Sequence, residues 1–178
     1  MTDRCNLRCR YCRPESGVPF VPHEEILRFE ELERLVRICT ALGIRKVRVT
    51  GGKPFSRRGC LDFLRRLRGI DQLKSLHITT NGVKTARLLA DLQEIGVAGI
   101  NLSLDTLDPL RFRDITRRDY LEAVLATLQG VMARHPPQNQ QCRPGGHQRP
   151  GNRQPGRARP KTAPDPALYR ADALSRGQ

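Results

Sequence analysis

Apolar positions return in two rhythms along residues 1–137. From about Glu30 to Leu42, the residues Leu32, Leu35, Val36, Cys39 and Leu42 recur at helical spacing, and Gly43 stands where such a helix would end. Cys39 lies on that stripe, which predicts a small core residue rather than a ligand. Lys46-Val47-Arg48-Val49-Thr50 instead alternates polar with apolar, the period of a strand, and runs into Gly51-Gly52-Lys53-Pro54. Leu61, Leu64 and Leu67 mark a second helix; Ser75–Thr80 reads as a second strand, with Asn81-Gly82 as its turn. Thr85–Ile95 predicts a third helix closed by Gly96, and Gly99–Leu104 a third strand followed by Asp105. A fourth helix is expected from about Arg118 to Met132, with Tyr120, Leu121, Val124, Leu125, Leu128 and Met132 on one face. Strand–helix alternation of this kind calls for parallel strands joined by right-handed crossovers, with chemistry at the strands' C-terminal ends.

The rhythm stops at Gln138. Residues 138–178 are dense in Arg, Pro, Gly and Gln without apolar periodicity, a composition that predicts a disordered basic tail. The domain division is therefore 1–137 as a folded α/β unit and 138–178 as low-complexity tail. The tail also back-translates, with freely chosen codons, so that a one-base shift turns Leu168–Leu174 into Phe-Ile-Glu-Leu-Met-Pro, and an out-of-frame reading is the expectation for it.

Charge changes this picture little. The formal net charge is +14, of which the tail carries +6 and the body +8. Such a balance suits a polyanionic partner, and a non-catalytic, basic nucleic-acid-binding protein is the reading to weigh against an enzyme. The tail has one aromatic, Tyr169, and so no row of rings for stacking bases, which argues against nucleic acid. Nothing resembles an export signal or a membrane span.

Cysteine spacing changes the picture a great deal. Cys5, Cys9 and Cys12, spaced C-x3-C-x2-C, put three thiolates on one short loop in a chain of six cysteines. Without an export signal, that reads as metal binding in a reducing cytosol rather than a disulfide framework. Close cysteine spacings hold iron–sulfur clusters, and three ligands on a four-iron cluster leave one iron open to a small chelating molecule. A structural zinc site is the alternative. Its fourth ligand would have to be His23, Cys39 or Cys60, none of which belongs to a second ligand pair.

The stretch TDRCNLRCRYC, with Tyr11 just before the third cysteine, resembles the cluster motif of the radical S-adenosylmethionine enzymes. Taken with GGKP after KVRVT, the TTNG turn and INLSLDTL, it resembles the GTP 3′,8-cyclase family of molybdenum-cofactor biosynthesis over about residues 2–134. That resemblance implies an incomplete (β/α) barrel, the N-terminal part of the family's fold, with a 4Fe–4S cluster and S-adenosylmethionine as cofactors. It assigns Cys5, Cys9 and Cys12 to the metal, Tyr11, Gly52 and Ser103 to S-adenosylmethionine, and Arg48 and Thr79 to GTP. No residue is assigned a catalytic proton transfer. An electron donor is implied, together with a cytoplasmic location and no membrane. The implied reaction is reductive cleavage of S-adenosylmethionine, hydrogen abstraction from the 3′ position of GTP and ring closure onto guanine C8. A radical S-adenosylmethionine enzyme of other substrate is the remaining alternative.

The sequence also departs from the family pattern. Lys53 stands where the family has the glutamate of GGEP, and Arg13 where it has methionine. The family's first strand, its N-terminal arginine and its second, C-terminal cluster have no counterpart in these residues, so a truncated, inactive copy with open sheet edges and a tendency to oligomerise is expected.

Overall fold

The computed structural model describes residues 1–134, apart from Glu15, Val18 and Gly52, together with Asp172 and Ala173. After the cysteine loop come α1 (Phe29–Ala41), β1 (Lys46–Val49), α2 (Cys60–Arg68), β2 (Ser75–Thr80), α3 (Leu89–Ile95), β3 (Gly99–Leu102), α4 (Pro109–Thr116), α5 (Leu121–Arg134) and the two-residue β4 (Asp172–Ala173). β1, β2 and β3 lie side by side and parallel, with Arg48 beside His77, Ile78 beside Ile100 and Thr79 beside Asn101. The alternation expected of the sequence is the alternation observed.

Register decides the two faces of the sheet, because strand side chains alternate. Val49, Leu76, Ile78 and Ile100 face the helices and share one core with Phe63, Leu64 and Leu67 of α2 and Leu92 of α3. The opposite face carries Arg48 on β1, Ser75, His77 and Thr79 on β2, and Asn101 on β3, a polar row in place of a second apolar layer. The turn after β2 is fixed by close approach. Gly82 has φ +83, and a Cβ there would meet Leu102 Cδ1 at 2.7 Å.

Three findings correct the sequence expectations. Cys39 is exposed, as are Leu35, Ile38 and Leu42, because α1 packs through Phe29, Leu32 and Val36, with Phe29 stacked on Phe63 at 4.7 Å. The stripe was wider than the face the helix buries. The third helix is α-helical only from Leu89, its first turn being a 3-10 segment, Ala86–Leu88. α4 was not foreseen, although Asp108 caps it through a 2.9 Å bond from Arg111 N–H and Pro109 occupies its first turn. Asp172–Ala173, which fall within residues 138–178, pair antiparallel with β3 at Asn101 and Ile100. An uncovered strand edge offers unpaired backbone groups to any segment that reaches it. The other residues of 138–178 lie outside the described residues, and so does the frame-shift expectation that rests on them.

Candidate cluster and cofactor site

The cysteine loop is short of regular structure and rich in anchors. Leu7 is buried, and the N–H groups of Cys12 and Arg13 both donate to the carbonyl of Cys9 at 2.9 Å, turning the chain tightly between the second and third thiols. Arg8 N–H donates to Thr116 O at 3.0 Å and Arg10 N–H to Ile115 O at 2.9 Å, laying the loop along the end of α4. Arg117 locks that contact. Its backbone has φ +54, and its Nη1 donates to the carbonyls of Arg8 and Arg13 at 3.0 and 3.1 Å.

The same loop reaches the C-terminal end of every parallel strand. Lys53 N–H, after β1, donates to Arg4 O at 3.0 Å. Asn81, after β2, is buried and donates through Nδ2 to Asn6 Oδ1 at 2.7 Å and to Cys5 Sγ at 3.8 Å. Tyr11 Oη donates to Asp105 Oδ2, after β3, at 2.8 Å. These anchors lie at the strand ends to which the sequence reading assigned the chemistry.

Cys5, Cys9 and Cys12 are free thiols, the first two half-buried and the third exposed. The Cys9 thiol is pushed up from its ordinary range, chiefly by burial; a hydrogen bond with Tyr11 opposes this, and Asp105, Cys5 and Cys12 reinforce it. Among the described residues no three His, Cys, Asp or Glu side chains form a site for a single metal ion. Three thiols within the eight residues 5–12 suit a four-iron cluster, with each thiolate on a different iron and one iron left open. N–H groups aimed at sulfur, from Leu7 at 3.4 Å and from Asn81, are the contacts that tune such a group. The donor set fits an iron–sulfur cluster.

Around the thiols, the structure brings together some expected residues and separates others. Tyr11 is 70% exposed, and its phenol is pushed up from its ordinary range, first by desolvation and then by its hydrogen bond to Asp105. Ser103, exposed just past β3, is tied at its N–H to Thr80 O at 2.7 Å, two residues before Asp105. Arg48 is exposed and Thr79 half-buried, both on the polar face of the sheet. Gly52 lies outside the described residues. Lys53 is half-buried. Arg13, which stands in for methionine, hydrogen-bonds the Asp3 carbonyl and stacks over Phe20 at 5.6 Å. On the loop's other flank, Arg8, Arg10, Arg113, Arg117 and Arg118 line a basic cavity of about 850 Å³. Asn81, Asp105, Asn101 and Arg117 were not singled out from sequence; only the Asn-Gly turn at Asn81 left a signal, and it was read as geometry.

A parallel sheet whose strand ends all hold one three-thiol loop defines a class. The profile of the Radical SAM superfamily matches residues 1–135, and the chain belongs to that superfamily, whose members use a 4Fe–4S cluster and S-adenosylmethionine. Among curated relatives, the GTP 3′,8-cyclase of Heliobacterium modesticaldum is 45% identical over 133 residues, which is 75% of this chain and 41% of that protein. The GTP 3′,8-cyclase of Geobacter sulfurreducens is 47% identical over 125 residues, 70% of this chain and 38% of that one. Molybdenum cofactor biosynthesis protein 1 of Bos taurus is 46% identical over 125 residues, 70% of this chain and 20% of its own length. The chain thus spans about two fifths of the bacterial proteins it matches. The crystal structure of HydG, a maturase of the [FeFe]-hydrogenase, is 15% identical and superposes with a TM-score of 0.58 over 74% of this chain and 31% of its own, a likeness of fold alone. Among the described residues no helix is long and apolar enough to cross a membrane.

Proposed function

We propose that these residues form the cluster-bearing part of a GTP 3′,8-cyclase. In this reading Cys5, Cys9 and Cys12 hold a 4Fe–4S cluster, Tyr11, Gly52 and Ser103 contact S-adenosylmethionine, and Arg48 and Thr79 contact GTP. The observation that carries it is the fastening of one three-thiol loop to Lys53, Asn81 and Asp105, which follow β1, β2 and β3 in turn. When bound, the cluster supplies the single electron for reductive cleavage of the sulfonium bond.

The chain's own residues position what reacts. Asn81 and Leu7 aim N–H groups at Cys5 Sγ, which fixes where that sulfur lies in the loop. Asp105 fixes the Tyr11 hydroxyl beside the loop, so the ring is set before any ligand arrives. Arg48 offers a planar five-donor fork on the polar face, the geometry that takes phosphate or the acceptor edge of a base. Thr79 adds a hydroxyl from a rigid strand, able to donate or accept. The polar face runs towards the strand ends where the loop sits, so a nucleotide on Arg48 and Thr79 would lie on the cofactor's side of the sheet. Partners in this reading are GTP and an electron donor, in a cytoplasmic setting that keeps the thiols reduced.

The test is anaerobic reconstitution with iron and sulfide, followed by dithionite, S-adenosylmethionine and GTP. One 4Fe–4S centre per chain, with 5′-deoxyadenosine formed and GTP bound, is expected. Stoichiometric tetrahedral zinc with no iron–sulfur absorbance would overturn the reading, and a competent cluster that leaves GTP unbound would turn it towards another substrate.

A further inference from the structure

Asn101 sits in the middle of β3 on the polar face, beside Thr79 in register, and is 7% exposed. Its side-chain Oδ1 is buried without a hydrogen-bond partner among the described residues. The other two such atoms among the described residues, Asp3 Oδ1 and Arg13 Nη1, lie in the cysteine loop, so this carbonyl is the one that belongs to the sheet among those residues. Buried amide oxygens are almost always paired, and one kept unpaired on a ligand-binding face marks a donor supplied from outside the fold.

The neighbours narrow the kind of donor. Adjacent strands run ~4.8 Å apart, so the Thr79 and Asn101 side chains leave neighbouring strands on the same face. Arg48 supplies the cationic end of the same face, two strands away. The Asn carbonyl can only accept, and it carries no charge to attract a phosphate. We infer that Asn101 is a third residue of the nucleotide site, whose Oδ1 accepts a hydrogen bond from a neutral donor of the bound nucleotide. This rests on the reading that Arg48 and Thr79 hold a nucleotide, and it adds a basis for selectivity. A nucleotide with the donor satisfies the orphaned carbonyl, whereas one without it leaves the carbonyl buried and unpaired. Two parts of GTP offer such a donor, a ribose hydroxyl and the N–H groups of guanine.

Calorimetric titration of the full chain with GTP, 2′-deoxy-GTP, 3′-deoxy-GTP and ITP tests it, on the wild type and on Asn101→Leu, Asn101→Asp and Arg48→Ala. In the wild type, one analogue should bind about tenfold more weakly than GTP: a deoxy form if the ribose is the donor, ITP if the guanine 2-amine is. Equal weakening of none assigns the donor to guanine N1–H, provided Asn101→Leu still weakens GTP. Asn101→Leu should lose the discrimination, Asn101→Asp should keep it, and Arg48→Ala should weaken all four ligands alike. A structural role is separated by thermal unfolding of the ligand-free protein. Replacing an unpaired carbonyl by an apolar group of similar shape should leave the midpoint unchanged or raised, while a pairing hidden within the fold would lower it. If Asn101→Leu binds all four ligands as the wild type does, while Arg48→Ala weakens them, the carbonyl holds only water and the inference falls alone. If the wild type binds no nucleotide, the inference falls together with the reading beneath it.

Discussion

Tyr11 and Asp105 are 94 positions apart in sequence and 2.8 Å apart in space. The phenol donates to a carboxylate that sits just beyond β3, so the aromatic residue next to the third cysteine is held by the sheet itself. Tyr11→Phe removes that bond and keeps the ring. Because the pair is exposed, the loss should be modest, about 1 kcal/mol or several-fold in affinity for S-adenosylmethionine, with cluster loading unaffected. Equilibrium binding to the reconstituted protein measures it, and Asp105→Asn should lie between the wild type and Tyr11→Phe.

Cluster content should divide the cysteines sharply. Cys5→Ala, Cys9→Ala and Cys12→Ala should each abolish the iron–sulfur absorbance after reconstitution. Cys60→Ala should leave iron and sulfide content intact and instead lower stability by roughly 1 kcal/mol, since Cys60 is a buried member of the core against α3. Iron, sulfide and thermal unfolding measured on the same preparations separate the two effects.

Thiol titration offers a test that needs no metal. Burial pushes the Cys60 thiol up to about 12 from its ordinary 9.0, with Arg57 opposing the shift, whereas Cys39 is exposed. Below pH 9 Cys60 is neutral in both folded and unfolded chains, and its contribution to stability is fully present. Above that pH the unfolded chain ionises first, so stability should fall as pH climbs from 9 towards 12. At pH 8, iodoacetamide should label Cys39 quickly and Cys60 only on unfolding, as peptide mass analysis would show.

Arg117 should prove more important than its place outside the motif suggests. Arg117→Ala deletes both bonds to the loop carbonyls, and hydrogen bonds from charged donors contribute about 1.5–3 kcal/mol each. Arg117→Gly deletes the same bonds and relieves the φ +54 backbone, so it should be the milder variant. Hydrogen exchange at the Arg8 and Arg10 amides, both bonded to the end of α4, should quicken in both. Unchanged protection there would refute the locking role.

Lys53 follows the Gly51-Gly52 turn and reaches the loop by its backbone alone, so its side chain is free of that anchoring. Lys53→Glu should tighten the binding of S-adenosylmethionine, which carries a sulfonium and an ammonium group. Like charges ~4 Å apart cost about 1 kcal/mol in water and more at lower dielectric. Titration at low and high salt checks it, because the gain should shrink as screening rises.

The strands and their order were legible because each has an apolar side that must meet helices. Val47, Val49, Leu76, Ile78, Ile100 and Leu102 announce themselves by alternation and land in the cores. The thiol triad was legible for a different reason, since spacing alone places three sulfurs on one loop. What stayed hidden was every residue that acts through a distant partner. Arg117 reads as one arginine among many, and its role depends on a backbone angle that no pattern reports. Asn101 looks like the polar half of an alternating strand until its register with Thr79 and its unpaired carbonyl are seen together. α1 was misjudged where local periodicity outran tertiary contact. Its stripe through Leu35, Cys39 and Leu42 is helical in spacing and yet unburied, because Phe29 and Val36 set the helix's rotation against α2.

The distance along the chain between the loop and its anchors sets an order of assembly. Residues 5–12 leave the ribosome before any of their anchors: the nearest strand-end contact needs Lys53, and the contact at the end of α4 needs Arg117, 109 positions beyond Arg8. Until three strand–helix units have docked, the loop has its own local turns but none of the strand-end anchors described above. A nascent polypeptide therefore exposes its most oxygen-sensitive side chains longest, before it has the means to shield them. Delivery of iron and sulfide is of use only after the sheet has closed beneath the loop, which makes cluster insertion a checkpoint on completed folding rather than an early nucleus for it.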